Sequence, residues 1–231
     1  TTGYLSNDKE DCTILLNVPG KLNIDNCTIT GHRVGVLVRG GEATIQNSTI
    51  NLSEIFDGTD ADDYDETWGS GNAVPMAALV VGNQSAGAYN YSAKCTLINT
   101  TVNALEGPRG AYVYGIDTAD RSATLTVEGD NGEINVKPGV NSIITGGQGQ
   151  AVVTGGTFSS DVSAFVAPNY ECVVENGNYV VKALDSKLVV EGGAGDDGNV
   201  TGSLEGNFSS NGTIEDKTDD TSTETPVSSN V

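Results

Sequence analysis

The sequence predicts an all-β chain, a parallel β-solenoid (β-helix) of about five coils with a C-terminal cap and a disordered acidic tail. Three observations carry this. Alternating apolar and polar stretches recur in a fixed order. Asn or Gly returns at one position within them. Gly is abundant, at 30 of 231 residues, about twice its usual share. That abundance argues for tight turns and against long helices, because Gly weakens a helix interior.

The repeat is read first. Four stretches align without gaps: KLNIDNCTIT at 21–30, EATIQNSTIN at 42–51, KCTLINTTVN at 94–103 and QAVVTGGTFS at 150–159. Their second column holds Leu22, Ala43, Cys95 and Ala151, their fourth Ile24, Ile45, Leu97 and Val153, and their ninth Ile29, Ile50, Val102 and Phe158. Polar residues fall between, which is the period of a strand with one buried face. The sixth column holds Asn26, Asn47, Asn99 and Gly155. These residue types reach left-handed backbone angles most readily, so a sharp corner is expected there. The eighth column holds Thr28, Thr49, Thr101 and Thr157, which suggests a stacked hydroxyl ladder on an outer face. A weaker copy, SATLTV at 122–127, keeps the strand and lacks the corner Asn.

A second strand type precedes each copy: CTILLNV at 12–18, VGVLVRG at 34–40, MAALVVG at 76–82, GAYVYGI at 110–116 and NSIITGG at 141–147. The aligned strands start at 21, 42, 94, 122 and 150, in steps of 21, 52, 28 and 28 residues. Such steps fit one solenoid coil each, and the long one is a coil carrying an insertion at 53–75. No coil alone can bury its apolar face, whereas stacked coils make one continuous core. An antiparallel sandwich would not require the same columns to recur.

The stretch 160–167 is the one plausible helix. Two strands follow, YECVVE at 170–175 and NYVVKA at 178–183, joined by Asn176 and Gly177, a hairpin signal. With a last strand at 187–190 they read as a cap at 160–190. The domain organisation expected is a capped solenoid at 1–190 and an acidic low-complexity tail or linker at 191–231, too polar to offset its chain entropy. The first coil has no obvious cap, which suggests further coils or a partner at that end. The chain opens on Thr1 without a signal peptide, and the expectation is a mature or excised region of a larger protein.

Eleven basic residues against 31 acidic ones give a net charge of −20. Phosphate backbones and anionic lipid surfaces would repel such a chain, so nucleic acid is not an expected partner. No apolar run reaches the length of a membrane span, so direct membrane insertion is not expected. The four cysteines, Cys12, Cys27, Cys95 and Cys172, form no CxxC pair, and with a single His a structural zinc site is not expected. Cys27 and Cys95 fall at inward positions. Free thiols and a disulfide both fit the sequence.

The stretches GGTFSSDVSAFVAPNY, from Gly155, and NAVPMAALVVGNQSAGAYNYSAKCTLINTTV, from Asn72, carry a family resemblance. They resemble the right-handed parallel β-helix, or pectin-lyase-like, regions of large surface proteins of Gram-positive bacteria. The first is similar to a GGTFSSDVSxYVAxGY ending in such proteins, with Phe165 in place of Tyr and Asn169 in place of Gly. The resemblance covers roughly 12–190. It implies a right-handed coil, a secreted or cell-surface location and an adhesin-like role, with glycans or another cell-surface protein as partners. It is an argument from fold, which does not by itself specify activity.

Enzymes of this fold that cleave polygalacturonate carry NTD, DD, GHG and RIK in that order. Here Gly31-His32-Arg33 comes first and Asp62-Asp63 after it, with no NTD or RIK, so His32 reads as a turn residue. A pair of suitably spaced carboxylates would still suffice for glycoside hydrolysis. A polysaccharide lyase or glycoside hydrolase is therefore the alternative class, and a structural stalk the third. The insertion holds Asp57, Asp60, Asp62, Asp63 and Asp65, flanked by Glu54 and Glu66. Carboxylates at this density suit calcium, a weak cofactor candidate, although the EF-hand glycine is missing because Asp65 occupies its place. A solvated acidic loop is the plain alternative. Tyr64, Trp68, Tyr89 and Tyr91 lie in the two long loops of one coil pair. Exposed rings stack on sugar faces, so they form a candidate glycan platform. They can equally pack the loops onto the solenoid wall. Asn-x-Ser/Thr sequons at 26, 47 and 99 follow from the corner column without any glycan.

Overall fold

The computed structural model describes residues 3–6, 12–53, 67–68, 72–73, 76–82, 91–115, 121–184, 187–189 and 213–215. Among these residues it is all-β, with one short 3-10 turn and no helix long and apolar enough to cross a membrane. Chain contacts divide it into two compact units, Thr1–Ala183 and Leu184–Val231.

The strands of the first unit fall into three classes that follow one another in each layer. In the first two layers, a- and b-class strands are the two halves of one long strand, β2 (Cys12–Asp25) and β4 (Val34–Gln46). The c-class strands are β1 (Gly3–Ser6), β3 (Cys27–Gly31) and β5 (Thr49–Leu52). A short antiparallel pair, β6 (Thr67–Trp68) and β7 (Asn72–Ala73), lies in the insertion. The a, b and c strands then continue separately. They are β8 (Ala77–Gly82), β9 (Ala93–Ile98) and β10 (Thr101–Ala104), then β11 (Ala111–Gly115), β12 (Ala123–Glu128) and β13 (Glu133–Val136), then β14 (Ile143–Gly147), β15 (Gly149–Val153) and β16 (Gly156–Phe158). Each strand pairs in parallel with the same class in the next layer. For example, Leu22, Ala43, Cys95, Leu125 and Ala151 are successive register partners. Equivalent columns therefore lie over one another, in a repetitive, solenoid-like arrangement of parallel sheets.

The core follows from this register. Ile24, Ile45, Leu97, Val127 and Val153 form one inward column and Ile29, Ile50, Val102, Ile134 and Phe158 another, all in a single buried cluster. Leu22 and Cys27, in the first layer, are only partly buried against it. The a-class strands differ: β8 is buried at every residue, and Val34, Leu37, Ala77 and Val80 form a second cluster on their other face. Runs such as VGVLV and AALVV lack polar alternation for that reason. Where a-class strands meet c-class ones, a side chain on Gly35 would strike Ile50 and one on Gly110 would strike Ile134, so small residues are required there.

The corners form where the sixth column placed them. Asn26, Asn47 and Asn99 have φ of 54°, 50° and 47°. The copy without Asn starts at Thr124, the partner of Lys94, two residues later than the start at 122 expected from the sequence, and Gly129 takes its corner at φ 89°, where a Cβ would collide with the Asn99 amide oxygen. At the last copy the left-handed angle falls one residue later, on Gly156 at φ 108°, while Gly155 packs against the Gly129 backbone.

Thr28, Thr49 and Thr101 are register partners, and the hydrogen-bonded columns lie beside them. One residue earlier, the Ser48 hydroxyl donates to the Gln46 carbonyl at 2.7 Å, and the Thr100 hydroxyl to the Ile45 carbonyl at 2.9 Å. Two residues later runs an asparagine ladder: Asn135 Nδ2 donates to Asn103 Oδ1 at 3.1 Å, and Asn103 Nδ2 to Asn51 Oδ1 at 2.9 Å.

The far end carries a cap over β16 and Val153. A 3-10 turn at Ser163–Phe165 stands where the helix was expected, and Val166 bridges Val153. Ser142 and Ser160 tie this segment to the last layer, with hydroxyls 3.0 Å apart and each accepting from the other's backbone N–H. Strands β17 (Tyr170–Glu175) and β18 (Asn178–Ala183) form the expected hairpin, turning at Asn176 and Gly177 with φ of 52° and 84°. The cap joins the stack through antiparallel pairing of β18 with β16.

In the second unit, β19 (Lys187–Val189) pairs in parallel with β20 (Thr213–Glu215). The last expected cap strand thus pairs with a segment of the stretch expected to be tail.

Candidate functional site

At the turn between a- and b-class strands, backbone, aromatic ring and charge converge in an open groove. The groove measures about 490 Å³ and is lined by Pro19, Gly20, Lys21, Gly41, Glu42, Tyr91, Ser92 and Lys94. Its floor is built from bends that side chains would block. Gly41 has φ 81°, and a Cβ on it would run into the Gly20 backbone one layer away. A Cβ on Gly40 would lie 2.8 Å from Tyr91 Cβ, so the glycine lets the tyrosine settle against the bend. Gly41 N–H donates to the Ser92 carbonyl at 3.0 Å, and the Ser122 hydroxyl bonds to that of Ser92 at 3.2 Å. These bonds fix Ser92, while its neighbour Tyr91 stays 42% exposed.

The charges come from the first column of the b-class strands. Lys21 and Glu42 are register partners, as are Glu42 and Lys94, so the column alternates positive, negative, positive. Lys21 Nζ lies 3.6 Å from Glu42 Oε2, with the two side chains 79% and 54% exposed. An ion pair this exposed contributes little to folding. The groove thus offers an aromatic face, two ammonium donors, one carboxylate acceptor and a hydroxyl, which is a set that can stack on and hydrogen-bond a polar ring.

Of the platform residues, Tyr91 alone is placed with its side chain. Trp68 lies in β6, while Tyr64 and Tyr89 fall outside the described residues. The calcium candidates Asp57, Asp60, Asp62, Asp63 and Asp65 also fall outside them. His32 sits in the turn between β3 and β4, as read from the sequence. Lys21, Glu42, Ser92 and Lys94 were not singled out. The signal for Lys21, Glu42 and Lys94 is the first column of the alignment, where Lys, Glu and Lys alternate, and Ser92 carries none.

Hydrogen bonds from the Asn47 and Gln46 side chains hold the exposed Asp25 carboxyl below its usual range, and the Ser163 backbone N–H does the same for Asp161. Burial pushes the Cys95 thiol up to about 12 and raises that of Cys172 as well. None of the four cysteines is joined in a disulfide. An aromatic pair, Tyr112 and Tyr114, lies on the a-class sheet with ring planes 3° apart and centroids at 6.2 Å. The Arg109 guanidinium lies 5.2 Å from the Tyr112 ring. Arg109 is buried, while Tyr112 and Tyr114 are half-buried. Neither a family model nor a curated protein nor a solved structure matches this chain.

Proposed function

We propose that the chain is a non-catalytic extracellular module, a right-handed parallel β-helix of a bacterial surface protein, that binds glycans in the Tyr91 groove. The single observation behind this reading is the exposed Tyr91 ring seated on Gly40 beside Lys21, Glu42 and Lys94. The parallel layers supply a rigid wall, and the groove lies across three of them. A saccharide ring stacked on Tyr91 would place its hydroxyls within reach of the charged column. The negative charge of the rest of the chain suits neutral surfaces better than phosphate-rich ones.

The test is a glycan array followed by titration calorimetry on any hit. Wild-type chain is expected to bind, Tyr91→Ala to abolish binding without changing the melting temperature, and Lys94→Gln to weaken it. Binding that survives Tyr91→Ala would remove the groove from the account. Release of reducing or unsaturated ends from a polysaccharide panel would move the chain to the carbohydrate-active enzymes instead.

A further inference from the structure

The two ends of the stack are finished differently. At the far end the cap pairs with β16 and bridges Val153. At the near end the ladder stops at β2, whose one partner among the described residues is β4. That leaves one long edge of a 14-residue strand open. The core is open there too. Ile14, Leu16 and Leu22 are only partly buried, whereas Val36, Val38 and Ala43, their register partners, are 0%, 0% and 3% exposed. On the outer face Leu15 is 48% exposed, and its partner Leu37 is 2%. An exposed strand edge beside unburied aliphatic side chains is what natural sheets cover or blunt, and the blunting devices of β2, Pro19, Lys21 and the irregular register between Leu16 and Lys21, lie between its two halves.

What belongs on that edge is indicated by β1. It pairs in parallel with β3 in strict register: Gly3 with Cys27, Tyr4 with Thr28, Leu5 with Ile29 and Ser6 with Thr30. The residue types follow the columns, small at Gly3, aliphatic at Leu5 and small polar at Ser6. So β1 is the c-class strand of a further layer. In every other layer the c strand has an a and a b strand beside it, and in this layer none is present among the described residues. The layer is one third built.

We infer that the open edge of β2 is a docking surface for an a–b strand pair of the same repeat, continuous with β1. This pair is aliphatic at the columns of Ile14, Leu16, Leu22 and Ile24. Backbone pairing supplies the affinity, and the alternating columns fix the register, as in strand addition generally. At the opposite end the antiparallel cap occupies the edge of β16 and bridges Val153, which leaves only the β14 edge without a partner among the described residues.

The test places a second copy of residues 34–45 directly before Thr1 of the full chain, so that the duplicated Ile45 occupies the Ile24 column. A control carries the same insert with its aliphatic and polar positions exchanged. Hydrogen exchange is followed at the β2 amides. The matched insert is expected to slow exchange at those facing away from β4 by about tenfold or more and to raise the melting temperature, while the exchanged insert does neither. Equal exchange in the two chains would overturn the inference. So would a dimer of the unmodified chain with its β2 amides protected, since a second copy would then be the occupant. If the matched insert prevents folding, the same segment is added as a free peptide. Shift changes confined to β2 support the docking surface, and their absence rejects it.

Discussion

Replacing Asn47 by alanine and by glycine separates the corner from every other role of that residue. Asn47 sits at φ 50°, where an ordinary L residue costs about 1–2 kcal/mol and Asn or Gly much less. Its one side-chain bond, Nδ2 to Asp25 Oδ1 at 3.1 Å, is exposed and adds little. Asn47→Ala is therefore expected to destabilise by about 1–2 kcal/mol. In a unit of this size each kcal/mol lowers the melting temperature by about 2–4 °C, so the fall is about 2–8 °C. Asn47→Gly loses the same side chain and keeps the angle. Its cost is the greater freedom of glycine in the unfolded chain, about 0.5–1 kcal/mol, offset by relief of the remaining strain. Asn23, an exposed asparagine within β2, is the control, and Asn23→Ala is expected to stay within about 0.5 kcal/mol of wild type. Urea unfolding followed by far-UV circular dichroism reads all three. If alanine and glycine behave alike at position 47, or if Asn23→Ala costs as much, the left-handed corner is not what holds the residue there.

Four further outcomes follow. Leu97→Ala, at a side chain with no exposure in the middle layer, is expected to cost about 2–5 kcal/mol in the same urea assay. Ser142→Ala removes a hydroxyl bonded to Ser160 and to the Ile134 carbonyl, and is expected to cost about 1–3 kcal/mol and to speed exchange in the cap; an unchanged cap would show that the serine pair does not fasten it. Iodoacetamide at pH 8 is expected to label the partly exposed Cys27 and Cys172 in the native chain and to reach Cys95 only after unfolding, as mass spectrometry of the peptides will show. For the same thiol, the folded value near 12 stands above the reference of 9.0, so between these values the unfolded chain loses a proton that the native chain keeps. Stability is thus expected to fall as pH rises above about 9, and Cys95→Ala to flatten that slope after correction for its own cavity.

Much of the wall was legible because burial imposes period two. Ile24, Ile45, Leu97 and Val153 could be aligned from sequence since each is aliphatic between polar neighbours, and the corner asparagines stood out because so few residues tolerate their backbone angle. The hydrogen-bonded columns were not read. Ser48 and Thr100 are small polar residues at inward positions, and only the fold shows that their hydroxyls satisfy carbonyls at the bend. Asn51, Asn103 and Asn135 look like surface asparagines until register stacks them. Residues 34–39 and β8 show their strand character but not their burial on both faces, because a short continuous apolar run does not reveal what covers it. The groove was half visible. Tyr91 was noticed with its loop neighbours Tyr64, Trp68 and Tyr89, whereas its companions are Lys21 and Glu42, far away in sequence and brought beside it by the 52-residue step between the second and third layers.

The most direct measurement is the separation of the corner Cα atoms in a crystal structure of the chain. Stacked parallel layers place Asn26 next to Asn47 and Asn47 next to Asn99, each about 4.8 Å apart, with Ile24, Ile45 and Leu97 turned to one interior. Corners that lie in separate sheets, or neighbouring strands that run in opposite directions, would contradict the account.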